Sequence, residues 1–134
     1  MPFHFKMQKV LDYREQLEEE AKVDLALKQR LLEDSRALFE RLKTELRQSE
    51  DRLFQSALAP QGERWLMEQY IKGLKGDVAN AAMQTRMHEQ LVDEARKMLA
   101  ARAIERKLLE KLKERQNQQY LREEQLKEQR VNDE

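Results

Sequence analysis

Residues 25–53 read LALKQRLLEDSRALFERLKTELRQSEDRL, and within them Leu25, Leu32, Phe39, Leu46 and Leu53 recur every seven residues without a slip. On an α-helix a seven-residue apolar repeat lines one side with a stripe that needs a facing helix. Charged residues fill most positions between. The pattern predicts a coiled coil, a structure that works by reaching and docking.

The rest of the chain has the composition of such a rod. Of 134 residues, 39% are charged and only 6% aromatic, with three Gly and two Pro. Enrichment in Ala, Glu, Lys, Leu, Arg and Gln marks long helices. A rod buries a thin seam instead of a round core, so modest stability and frayed ends are expected.

From Phe3 to about Ala57 nothing breaks a helix, and the first helix is expected over about 3–57. Its stripe reads Phe3, Met7, Val10, Leu17 and Ala21, then shifts by one position to Leu25 and onward through Leu42 to Leu53. A straight helix has 3.6 residues per turn, so drift of this kind is expected. Pro60-Gln61-Gly62 is the one strong interior stop: Pro removes a helical hydrogen bond, and Gly tolerates the angles of a reversal. The turn is placed at about 58–62 and a second helix at about 63–130, striped by Tyr70 or Ile71, Leu74, Val78, Ala81, Thr85, Leu91, Ala95, Met98, Ile104, Leu108 and Leu112. Gly73 and Gly76 allow either a close helix approach or a bend.

Folding at residues 60–61 makes facing residue numbers sum to about 120. Leu46 then meets Leu74, Leu42 meets Val78, Phe39 meets Ala81, Leu25 meets Ala95 and Ala21 meets Leu99, large against small or medium. Phe3 falls near Asn117, and residues beyond about 118 have no partner. The predicted fold is all-α: one domain over 1–134, a long antiparallel two-helix coiled-coil hairpin with an overhanging C-terminal helix. An isolated helix as polar as that overhang is marginal in water, so it frays or another protein orders it.

Composition also excludes functions. Net charge is zero, from 26 basic and 26 acidic residues, which argues against nucleic acid as partner. The run Arg96, Lys97, Arg102, Arg106, Lys107, Lys111 and Lys113 reads as solvated helix faces. There is no cysteine, and no apolar run approaches the roughly 20 residues that cross a bilayer. The start, MPFHFKMQKVLDYRE, has no signal-peptide core, so cytosol is the expectation. His4 and His88 are the only imidazoles, with no His-x-x-x-His pair, and the register sets His88 opposite Leu32 at the seam or its edge. No phosphate-binding loop is present, and the carboxylates lie on solvated faces. No enzyme, cofactor or metal site is expected. Met83, Met87 and Met98 are read as seam filler, and Trp65 as a cap on the hairpin core, with an exposed partner anchor as the alternative.

Two segments carry more than periodicity. Phe3-His4-Phe5-Lys6-Met7-Gln8-Lys9-Val10-Leu11-Asp12-Tyr13-Arg14-Glu15 resembles the N-terminal signature of the FliJ family of flagellar export proteins. Leu112-Lys113-Glu114-Arg115-Gln116, with Tyr120, Glu124, Gln129 and Asp133-Glu134, is similar to the family's C-terminal signature at matching spacing. Arg64-Trp65-Leu66 through Tyr70-Ile71 and Leu74 resembles its start of helix two. The resemblance implies a cytoplasmic, non-enzymatic stalk of the flagellar type III export apparatus, peripheral at the inner face of the cell membrane through its partners. Those partners would be the hexameric export ATPase, the membrane-embedded export gate and the chaperones of late export substrates. The implied ATPase-facing residues are Phe3, Phe5, Arg115, Gln116, Tyr120, Glu124, Gln129, Asp133 and Glu134. For the gate they are Leu42, Leu46, Leu53, Tyr70 and Leu74, which also belong to the expected seam. Competing readings are the equivalent stalk of a virulence injectisome, a generic dimerising coiled coil, and a helical nucleic-acid binder using the Arg96-to-Lys113 run.

Overall fold

The computed structural model describes residues 2–133, which form two α-helices and no strand. Helix α1 spans Gln8–Gln55 and α2 spans Gln61–Asp133. The expected α1 begins at residue 3; the observed one begins five residues later. In a helix, residues two apart do not share a face. Leaving the first residues unwound lets Phe5 bury to 4% exposure while the Phe3 ring meets that of Tyr120, 5.8 Å between centroids and tilted 46°. The Gln8 amide N–H bonds to the Phe5 carbonyl at 3.1 Å as the helix starts.

Residues 56–60 separate the helices. Carbonyls at the end of α1 and just past it are held by α2: the Arg64 guanidinium donates to Ser56 O at 2.7 Å and to Leu53 O at 3.5 Å. A cation at a helix C-terminus satisfies orphan carbonyls and opposes the negative end of the helix dipole. Ser56 Oγ donates to Arg52 O at 2.6 Å. Glycine plays no part in the reversal. No described residue has a positive φ, and Gly62 is already inside α2. The turn closes on ordinary backbone angles, so Pro60 ahead of α2 is the feature that counts.

The residues group into two units, one made of the segments up to Asp24 and from Arg96 (the terminal unit), the other of Leu25–Ala95 (the turn unit). In the turn unit the helices meet through Ser35 and Thr85, Arg36 and Glu89, and Glu45 and Tyr70. In the terminal unit they meet through Phe3 and Tyr120, Arg14 and Glu105, and Glu18 and Arg106.

Burial along each helix keeps a seven-residue phase. On α1 the series from Leu11 through Glu18, Leu25, Leu32, Phe39 and Leu46 to Leu53 is buried or half-buried throughout. So is the companion series Arg14, Ala21, Lys28, Ser35, Leu42 and Ser49. On α2 the corresponding series are Arg64, Ile71, Val78, Thr85, Val92, Leu99, Arg106, Lys113 and Tyr120, and Met67, Leu74, Ala81, His88, Ala95, Arg102 and Leu109.

This overturns two expectations. The α1 stripe does not shift: Met7 and Val10 are each 39% exposed, while Leu11 and Glu18 are buried. On α2, Leu91, Met98, Ile104 and Leu108 are exposed, and Val92, Leu99 and Leu109 take their places. The cause is the same in both helices. Polar residues occupy several heptad positions, and following apolar residues alone steps onto the neighbouring face. Gly73 and Gly76 do not mark a close approach either, since a Cβ on either would meet nothing within 4 Å.

Candidate partner-binding surfaces

Seam chemistry differs between the units. In the turn unit Leu32, Ile71, Leu74, Ala81, Val92 and Ala95 are each 7% exposed or less. Its main polar contact is Ser35 Oγ with Thr85 Oγ1 at 2.9 Å. Thr85 Oγ1 also donates to Ala81 O at 2.8 Å, and a hydroxyl has one proton. Ser35 is therefore the donor in the pair. Lys43 Nζ sits 4.5 Å from the centroid of the Phe39 ring, a cation over an aromatic face.

The terminal unit packs Leu11 and Ala21 beside an ionic ladder. Arg106 Nε donates to Glu18 Oε2 at 2.6 Å and its Nη1 to Glu110 Oε2 at 2.8 Å. Arg14 reaches Glu105 at 2.9 Å, which Arg102 also approaches at 3.4 Å, and Lys22 lies 3.5 Å from Glu18. The Glu18 side chain is only 9% exposed. The Arg106 hydrogen bond holds its carboxyl below the ordinary carboxylate value, against the opposing effect of burial. The same bond, joined by that to Glu110, raises the Arg106 guanidinium. Three members of the basic run, Arg102, Arg106 and Lys113, thus belong to the seam, where solvated faces were expected.

The residues implied for ATPase contact separate into groups. Phe3 and Tyr120 are brought together, both half-buried, beside a groove lined by Phe3, Gln8, Leu11, Glu15, Glu110, Lys113, Glu114 and Asn117. Phe5 is buried and presents no surface. Arg115, Gln116, Gln129 and Asp133 are exposed, and Glu124 is half-buried with Lys127 at 3.8 Å. Glu134 lies outside the described residues. Tyr120 lies past the expected limit of pairing near residue 118 and has a partner in Phe3. Beyond it Leu121, Leu126 and Val131 are 52%, 57% and 72% exposed.

Of the residues implied for the gate, Leu74 is buried and Leu42, Leu46 and Leu53 are half-buried in the seam. Only Tyr70 presents itself, 52% exposed, with its hydroxyl donating to Glu45. That bond to a carboxylate raises the phenol above its ordinary value. Tyr70 borders a polar groove with Glu40, Arg41, Thr44, Glu45 and Gln48.

Sequence reasoning missed an apolar group around the turn. Phe54 is 86% exposed, Leu58 fully exposed, and Leu66 62% exposed. Trp65, at 58% exposure, does not cap a core. The heptad phase signals this: Trp65 directly follows the seam residue Arg64 and so turns away from α1. The methionines correct likewise, for Met83, Met87 and Met98 are at least half exposed and fill no seam.

Among the described residues no group of three or more His, Asp or Glu side chains is placed to hold a metal, and no helix is long and apolar enough to cross a membrane. Two long charged helices that meet along a heptad seam define an all-α protein with no strand among the described residues. The chain belongs to the FliJ family: the family model described as flagellar FliJ protein matches residues 3–134. Its role is accordingly in flagellar protein export, in association with the export apparatus. No curated protein and no solved structure matches the chain.

Proposed function

We propose that the chain is a non-enzymatic stalk of the flagellar export apparatus, an antiparallel two-helix coiled-coil hairpin with an overhanging C-terminal helix, all of it one domain. The terminal unit enters the ring of the hexameric export ATPase, the turn unit faces the membrane export gate, and late-substrate chaperones dock on the same protein. It works in the cytoplasm, held at the membrane by its partners.

The observation that carries the reading is the family match across residues 3–134. The hairpin is supported by the contacts within each unit, where Glu45 pairs with Tyr70 and Ser35 with Thr85, and where Arg14 pairs with Glu105 and Phe3 with Tyr120. Rising numbers on α1 meet falling numbers on α2. The overhang is supported by exposure of Leu121, Leu126 and Val131, apolar groups with no cover from α1. ATPase contact then falls to Tyr120, Phe3, Arg115, Gln116, Glu124, Gln129, Asp133 and Glu134, with Phe5 shaping the surface from beneath. Tyr70 is the gate residue of choice, because Leu42, Leu46, Leu53 and Leu74 are engaged in the seam.

The test is a pull-down of the export ATPase by the full chain and by a chain lacking residues 118–134, with ATP-hydrolysis rates measured alongside. The full chain is expected to bind and to raise turnover. The truncated chain is expected to lose binding while its circular dichroism stays helical. Equal binding by the truncated chain would falsify the assignment of this end.

A further inference from the structure

The seam of the turn unit has two flanks of different chemistry. On one flank Arg36 Nη2 reaches Glu89 Oε1 at 3.5 Å, the charged pairing usual beside a two-helix seam. On the other a groove is lined by Ser35, Leu38, Leu42, Asp77, Asn80 and Gln84, among others. Leu31 lies one heptad before Leu38 and Leu91 one heptad after Gln84, so both share this second flank. Leu27 and Met87 stand one turn away on the same faces. All five apolar side chains are substantially exposed: Leu27 56%, Leu31 43%, Leu38 42%, Met87 51% and Leu91 37%.

Two helices that need only each other bury two heptad series and leave the flanking positions charged. A third apolar series widens the stripe, which is the pattern of a helix that packs against more than one neighbour. Here the widening occurs on both helices, on the same flank, and not on the other. Such a surface is shaped for one more helix lying along the groove. The charges around it specify that helix further. Asp34, Glu45, Asp77 and Glu94 border the flank, with Arg41 as the main opposing charge.

We infer that this flank seats a single amphipathic helix from another protein, apolar along one stripe and basic along both edges. A second copy of the chain is disfavoured, because its own acidic rim would lie against this one. An anionic lipid surface is disfavoured for the same reason. The inference depends on the turn unit alone and stands or falls apart from ATPase binding at the other unit.

The probe is a labelled synthetic peptide of three heptads with Leu at the two seam positions and Lys at the flanking ones, titrated into the full chain and followed by fluorescence anisotropy. Leu31→Gln with Leu38→Gln removes exposed side chains only, and circular dichroism should show an unchanged helix content. Binding by this double variant should weaken at least tenfold, as should binding by Asp34→Lys with Asp77→Lys. The same peptide with Glu in place of Lys should bind at least tenfold more weakly to the unaltered chain. Hydrogen exchange in the complex should show new protection at residues 27–38 and 84–94. Equal binding of the Lys and Glu peptides overturns the proposal, and so does equal binding by the Leu31→Gln, Leu38→Gln chain. Sedimentation showing a dimer of the unaltered chain that this double variant dissolves would also overturn it, making the flank a contact between copies.

Discussion

Glu18 shows how one residue can set a seam. It occupies a heptad position between Leu11 and Leu25, where an apolar residue would do, and it is buried because Arg106 meets it at 2.6 Å. A buried carboxylate left alone would carry a large desolvation cost, so the partner is obligatory once the acid is there. The pairing brings pH sensitivity. Since the folded state holds the Glu18 carboxyl below its ordinary value, its stabilisation is fully present above the unfolded carboxylate value of 4.5 and is lost as pH falls through the lowered one. Charged neighbours on both helices, Lys22, Arg102, Glu105 and Glu110, stay in place when Glu18 alone is changed. Glu18→Gln is therefore expected to lower the melting temperature by several degrees at pH 7, with the gap to the unaltered chain closing as the pH drops below the carboxylate range. Thermal melts across pH check this, and a pH-independent gap would sink the idea.

At the scale of the element, helix α2 carries two glycines that no packing requires. Gly73 and Gly76 have ordinary helical angles, and a Cβ would meet nothing within 4 Å at either. Glycine in a helix interior costs roughly 0.5–1 kcal/mol relative to alanine through the freedom it has in the unfolded chain. Gly73→Ala and Gly76→Ala are each expected to stabilise the protein by about that amount, additively, in urea melts. A loss of stability would overturn this expectation, showing that the glycines serve the packing of the chain itself. The end of α1 differs in kind, since its carbonyls depend on Arg64 from the other helix. That dependence runs between elements and has no signature in the α1 sequence.

At the scale of the whole molecule, one seam is chiefly apolar and the other is strongly ionic. Leu32, Ile71, Leu74 and Val92 close the turn unit, while Arg14, Glu18, Arg102, Glu105 and Arg106 hold the terminal unit. High salt screens ion pairs, with a Debye length of about 3 Å at 1 M, and leaves apolar burial intact or stronger. Hydrogen exchange at about 1 M NaCl, set against low salt, is expected to show lost protection up to Asp24 and after Arg96, with Leu25–Ala95 unchanged. Uniform change along both helices would count against an ionic seam.

The sequence by itself determined the all-helical class, the break at Pro60 and the family, because heptad spacing, a proline and two terminal signatures are local and need no partner to be read. It also determined the apolar half of the seam from Leu25 to Leu53, where the repeat is unbroken. Tertiary structure decided the rest of the seam. Whether Arg14, Glu18 or Arg106 faces water or the other helix depends on a counter-charge about 90 positions away, across the turn. It decided likewise that Val92 and not Leu91 is buried, that Trp65 stands in solvent, and that Leu31, Leu38 and Leu91 share one flank. A hydropathy pattern ranks residues by type alone. Burial follows from which face of each helix the partner covers, and that is fixed only when both helices are in place.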